Sequence, residues 1–185
     1  NNQVYSAPNP LGGTLMLQGL KIDEKENVDN MDRNNFITAM IKSRDVMYKN
    51  RDIVNGNEPS NEQHLTDDYL LGELNKVNIG ENTDNGSDFD QIRTDNTSTT
   101  HFVVIDKNGK LASTTNTLSS YFGTGDYMNN SLGDFSKDKS SPNHGEPHKA
   151  PRSFISPSVI VGPNFYMGIG TPGGNKIPTI LNEVI

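Results

Sequence analysis

Over residues 1–75 the apolar side chains recur at three- and four-residue intervals, the period of one helical face. Phe36, Ile37, Met40, Ile41, Met47 and Tyr48 keep that spacing and predict an amphipathic helix from about Asn34 to Lys49. Leu15, Leu17, Leu20 and Ile22 predict a short helix, weakened by Gly19. Thr66, then Asp67 and Asp68, then Leu70, Leu71 and Leu74 read as an N-cap, an acidic first turn and an apolar face. Between these elements, Ser6–Gly13 is turn chemistry with two prolines and paired glycines, and 52–64 is an Asn- and Pro-rich loop.

Residues 76–98 hold hardly any apolar side chains and predict an exposed, mobile linker, because such a stretch cannot bury enough surface to order itself. From Thr99 the period becomes that of strands. Phe102-Val103-Val104-Ile105 is β-branched and aromatic, and Asp106-Lys107-Asn108-Gly109-Lys110 is a hairpin turn. Asp at its first position and Gly at its fourth favour a type I turn with Gly109 left-handed. That turn sets Ile105 opposite Leu111, Val103 opposite Ser113, His101 opposite Thr115 and Thr99 opposite Thr117. A two-residue Asn-Gly turn would slip the register by one and turn Thr117 to the other face, so the first register is preferred. Ser158–Val161 and Phe165–Ile169 predict a second hairpin around Gly162-Pro163-Asn164. Ile177, Ile180, Leu181 and Val184 predict a final helix with Pro178 in its first turn, where a missing N–H costs little. This helix is still running at Ile185, so the chain reads as a fragment.

Composition narrows the classes. Without cysteine there is no disulfide scaffold, thiolate zinc site or cysteine nucleophile. No apolar run approaches the roughly 20 residues of a membrane span, and Asn1-Asn2-Gln3-Val4 is no signal peptide. If the parent is exported, its signal lies upstream. A net charge of −7 argues against nucleic acid as a partner. Residues 1–98 carry 9 basic and 17 acidic side chains, whereas 99–185 carry 7 and 6, so the two regions differ in character.

Three places invite chemistry. Thr99 follows the polar stretch and begins a strand; its hydroxyl becomes a nucleophile only with a base beside it, which its own α-amine supplies once the Ser98–Thr99 bond is cut. On pattern alone, Thr99 and Thr100 read first as strand residues of high β propensity. Gly173 and Gly174, just before a helix, leave N–H groups able to hold an oxyanion, or form an ordinary strand-to-helix turn. His144 and His148 are separated by Gly145 and Pro147, which prevent a helix from presenting both imidazoles, and no third ligand accompanies them. Asp134 on its own reads as a turn-capping carboxylate.

Taken in order, Thr99-Thr100-His101-Phe102-Val103-Val104-Ile105-Asp106, Asn116-Thr117-Leu118, Phe122-Gly123-Thr124-Gly125 and Thr171-Pro172-Gly173-Gly174 resemble the γ-glutamyltransferases, over nearly the whole chain. Ser6–Gly13 is similar to the Pro/Ser-Gly-Gly turn late in that family's large subunit. The resemblance implies an α+β fold, the αββα sandwich of N-terminal nucleophile hydrolases, present in part. Residues 1–75 would be the mainly helical end of the large subunit, 76–98 a linker ending at a self-cleavage site, and 99–185 the small-subunit core. Thr99, freed by autocatalytic cleavage at Ser98–Thr99, would attack the γ-glutamyl carbonyl; Thr117 would support it, and Gly173 and Gly174 would hold the oxyanion. Asp134 matches the carboxylate that binds the substrate α-amino group, and Ser153 a serine that binds the α-carboxylate. Ser119 stands where many members have asparagine and Ser131 where glutamine is common.

The loop between Gly125 and Asn129 is shorter than in glutathione-cleaving members, and Pro151-Arg152-Ser153-Phe154 replaces the usual paired serines. That pattern is similar to the branch that processes poly-γ-glutamate capsules, and a cation at Arg152 in an open site would suit a long polyanion. The implied partners are a γ-glutamyl donor, polymeric or small, an amine or water acceptor, and the rest of the large subunit, with its arginine for the substrate carboxylate. The implied place is extracellular or at the cell envelope, and no cofactor or metal is needed. The alternatives are a glutathione-type transpeptidase and a non-catalytic relative that keeps the sandwich as a binding module.

Overall fold

The computed structural model describes residues 2–54, 59–78, 98–119 and 129–185. Four helices and five strands form in the order β1 (Gln3–Ser6), α1 (Gly13–Glu26), α2 (Arg33–Lys49), α3 (Asp67–Leu74), β2 (Thr99–Ile105), β3 (Leu111–Thr117), β4 (Ser158–Val161), β5 (Tyr166–Ile169) and α4 (Ile177–Val184), among the described residues. The helix starts follow from their caps. Asp32 accepts from the Asn34 and Asn35 N–H groups at 2.9 and 3.2 Å, which starts α2 one residue before the apolar pattern does. Thr66 caps α3 through the Tyr69 N–H, as its sequence predicts.

Two expectations change. The helix weakened by Gly19 is not short: α1 runs for 14 residues. Gly19 is where α1 meets its neighbours, since a Cβ there would lie 2.6 Å from Asn182 Oδ1 and 2.8 Å from Met47 Sδ. The cost in helix propensity is set against close packing with α2 and α4. In addition, β1 precedes the Ser6–Gly13 turn, where the sequence gives no strand signal; Gln3–Ser6 pairs antiparallel with β4, and β4 with β5.

The helices bury their apolar faces in three clusters around α1. Ile22, Val46, Leu70 and Val77 join α1 to α2 and α3; Leu15, Met47 and Val54 join it to the end of α2; Met16, Ile177 and Leu181 join it to α4. The β2–β3 hairpin forms a second sheet beside the β1-β4-β5 sheet, tied to it by Ser113 Oγ donating to the Ile169 carbonyl at 3.3 Å. Most of the polar stretch 76–98 and the Phe122-Gly123-Thr124-Gly125 segment lie outside the described residues.

Candidate active site

The hairpin turn positions Thr99. Asp106 Oδ1 accepts from the Asn108 and Lys110 N–H groups at 2.8 and 2.9 Å, and Gly109 takes φ +80°, so the loop closes as the turn chemistry predicts. The resulting register sets Thr99 opposite Thr117 and His101 opposite Thr115. Thr99 Oγ1 donates to Thr117 Oγ1 at 3.0 Å. One residue back, the Ser98 carbonyl accepts from the Leu118 N–H at 3.2 Å. The residues on either side of the Ser98–Thr99 bond are therefore held by the end of β3 and the residue after it, through the Thr117 hydroxyl and the Leu118 amide.

From Thr117 a chain of hydrogen bonds leads to Ser119 and Asp134. The Ser119 N–H donates to Thr117 Oγ1 at 3.0 Å, and Ser119 Oγ donates to Asp134 Oδ1 at 2.5 Å. Ser119 reaches both partners from a left-handed backbone, φ +64°. Asp134 ends the 3₁₀ turn Ser131–Asp134, which is tethered to the hairpin by the Asn130 N–H donating to the Leu118 carbonyl at 2.8 Å. Ser131 belongs to the same turn and donates its N–H to Asn129 Oδ1 at 3.2 Å. Beyond Asp134, Asn143 Nδ2 donates to the Asp134 carbonyl at 2.7 Å and Asn143 Oδ1 accepts from the Arg152 N–H at 2.9 Å. Ser153 follows directly and donates its N–H to the Pro10 carbonyl at 3.0 Å.

Arg152 differs from its expected role. Its side chain is 7% exposed and its Nη1 sits 2.8 Å from Asp52 Oδ1, with the guanidinium carbon 5.4 Å from the centre of the Phe154 ring. A guanidinium buried and neutralised in this way ties the 152–154 strap to the end of α2; it is not an open cation for a polymer. The change in role follows from Asp52, one hundred residues away, which no local pattern connects to it.

Gly173 and Gly174 take φ +151° and +58°; Gly173 caps and Gly174 opens a 3₁₀ turn, Gly174–Lys176, that leads into α4. They follow β5, whose end approaches the hairpin: a Cβ at Gly170 would run into the His101 ring, on the strand that begins with Thr99. His101 is held by Thr115 Oγ1, 2.9 Å from Nδ1, and its Nε2 is buried without a hydrogen-bond partner. Desolvation lowers its pKa, which favours the neutral imidazole. His144 rests with Nδ1 3.2 Å from the Ser136 carbonyl, and among the described residues no group of three or more His, Asp or Glu is placed to hold a metal ion.

Sequence reasoning missed Asn143, Asp52 and the Leu118 amide. Only Asn143 had a local signal, the Ser141-Pro142-Asn143 turn, and that signal says nothing of its partners.

Comparison with known proteins bears on the family and the fold. The family model described as gamma-glutamyltranspeptidase matches residues 1–185. The capsule biosynthesis protein CapD proenzyme of Bacillus anthracis is 35% identical over 98% of this chain and 34% of its own length. The glutathione hydrolase proenzyme of Escherichia coli strain K12 is 33% identical over 47% of this chain and 18% of its own. In structure, a cephalosporin acylase from Bacillus halodurans superposes with a TM-score of 0.72 and 19% identity, covering 99% of this chain and 35% of that one. The chain thus has the N-terminal nucleophile hydrolase fold in part, and it spans about a third of the length of the capsule protein and of the acylase.

Proposed function

The chain belongs to the gamma-glutamyltranspeptidase family, and from that premise we propose that it carries the catalytic threonine of a γ-glutamyl acyltransferase that cuts itself at Ser98–Thr99. Thr99 Oγ1, held by Thr117 Oγ1, attacks the Ser98 carbonyl carbon while the Leu118 N–H stabilises the developing oxyanion; as the C–N bond breaks, the hydroxyl proton ends on the Thr99 nitrogen. The acyl group moves from nitrogen to oxygen. Water then hydrolyses the ester, leaving a Ser98 carboxylate and a Thr99 α-amine. That amine takes the proton from Oγ1 as Thr99 attacks a γ-glutamyl carbonyl. Gly173 and Gly174 hold the oxyanion, the donor's amine leaves protonated, and water or a second amine releases the γ-glutamyl group. Asp134 takes the donor's α-ammonium and Ser153 its α-carboxylate, with Ser119 and Ser131 lining the approach.

Poly-γ-glutamate is the preferred donor, on the strength of the match to the capsule protein along 98% of this chain; a glutathione-sized donor is the alternative. The place of action is extracellular or at the cell envelope. The observation that carries the reading is the hold on one peptide bond: the Thr99 hydroxyl on Thr117 at 3.0 Å and the Ser98 carbonyl on the Leu118 amide at 3.2 Å. Intact mass and N-terminal sequencing of the full-length protein test it. Two pieces meeting at Ser98 and Thr99 are expected, with Thr99→Ala uncut and inert on a γ-glutamyl anilide. Turnover by Thr99→Ala would overturn the assignment.

A further inference from the structure

Asn143 is 3% exposed and uses both ends of its amide. Nδ2 donates to the Asp134 carbonyl and Oδ1 accepts from the Arg152 N–H, each nine residues away along the chain, in opposite directions. The base of the side chain is fixed as well. The Asn143 N–H donates to Ser141 Oγ at 3.2 Å, its carbonyl accepts from the Ser136 N–H at 3.0 Å, and the next residue, His144, bridges to Ser136. An amide is the short side chain that offers one donor and one acceptor at the two corners of a rigid plane. Both corners are spent here on backbone groups, one at Asp134 and one adjoining Ser153.

We propose that Asn143 is a positioning residue that sets the distance between the carboxylate receiving the donor's α-ammonium and the segment receiving its α-carboxylate. The proposal rests on the roles given above to Asp134 and Ser153. Each of these groups is anchored on its far side as well: Asp134 to Ser119 at 2.5 Å, and the Arg152–Ser153 segment to Asp52 and Pro10. Asn143 is the cross-tie between the two anchors. Loss of the tie leaves each group attached but no longer gauged against the other, and the penalty falls on donors that present both an ammonium and a carboxylate. A side chain that only held the loop together would penalise every donor alike.

The test uses the full chain and two variants. Asn143→Asp keeps the size and the acceptor for the Arg152 N–H but sets an oxygen against the Asp134 carbonyl; Asn143→Ser is too short to span both. Three anilides serve as donors: γ-glutamyl, glutaryl (no α-amine) and 4-aminobutyryl (no α-carboxylate). For the γ-glutamyl donor, kcat/KM falls about 100-fold, mostly through KM, the scale of a misplaced binding group. For each truncated donor the penalty shrinks to about tenfold or less, because only one end remains to be gauged. Cooperative melting and cleavage at Ser98–Thr99 verify that the variants fold. Equal penalties for all three donors, no penalty, or failure of both variants to fold would overturn the proposal. A parent enzyme inert on every γ-glutamyl donor would instead refute the function on which it rests.

Discussion

Thr117 Oγ1 accepts two hydrogen bonds, from the Thr99 hydroxyl and from the Ser119 amide, so it is held in place by a group that does not react. Thr117→Val keeps the shape and the β propensity but removes the acceptor. Cleavage at Ser98–Thr99 should slow by about 100- to 1,000-fold, the scale of one well-placed polar partner; an unchanged rate in a time course of the band shift would rule out its support of Thr99. Ser119 presents a different balance. Its left-handed backbone costs about 1 kcal/mol, which Ser119→Gly relieves while adding roughly 0.5–1 kcal/mol of unfolded-state entropy. The backbone terms therefore roughly cancel, so melting falls only by what the lost Ser119–Asp134 hydrogen bond contributes, while KM for a γ-glutamyl anilide rises about tenfold. A fall in melting with KM unchanged would show the hydroxyl to be purely structural. At this scale the Thr99–Thr117 pair was readable because Asp106 and Gly109 fix the hairpin register within five residues. Asn143 was not, because its meaning lies in two backbone groups that only the folded loop brings to it.

The seam of α1, α2 and α4 carries a buried polar knot in which charge and packing compete. Asn182 Nδ2 donates to Asp23 Oδ2 at 2.7 Å and lies 3.5 Å from Ser43 Oγ, while Asp23 Oδ1 and Asn182 Oδ1 are buried without a hydrogen-bond partner. Burial raises the Asp23 pKa above the usual carboxylate value; Asn182 and Ser43 pull it down, and Asp29 and Glu26 add to the rise. The folded state then binds the Asp23 proton more tightly than the unfolded chain does. The stabilisation this gives is complete below the ordinary carboxylate pKa and is lost as pH rises through the folded one. Asp23→Asn removes that loss and supplies a donor among the two orphaned oxygens. Its melting temperature should exceed the parent's by a margin that widens from pH 4 to pH 7. A constant margin would mean that Asp23 ionises without cost. Helix positions themselves were legible, since caps such as Thr66 and apolar spacing act within one or two turns. Gly19 misled because its reason is a neighbour 163 residues on, Asn182, not its own helix.

Across the whole molecule, the segments before and after Ser98–Thr99 are not two bodies. β1 supplies an edge strand to β4, α1 packs on α4 through Met16, Ile177 and Leu181, and Gly12 donates its N–H to the Ile155 carbonyl at 3.0 Å. Ser153 reaches Pro10, and Arg152 reaches Asp52. These pairings join positions more than 90 residues apart, which is why local periodicity gave the elements but neither β1 nor the ion pair at Arg152. They also decide what the proposed cleavage would do. Cutting one peptide bond breaks none of them, and the apolar clusters that hold α1 to α4 bury the same surface before and after. The cut pieces should therefore elute together in gel filtration at neutral pH and separate only in denaturant. Asp52→Ala leaves Arg152 buried without its partner carboxylate, a cost of about 3–5 kcal/mol for a buried pair and less here because Asp52 is itself half exposed. That variant should lower the denaturant concentration at which the pieces part, without changing the cleavage site. Spontaneous separation of the parent's pieces in buffer would show that the contacts across the cut do not hold the two together.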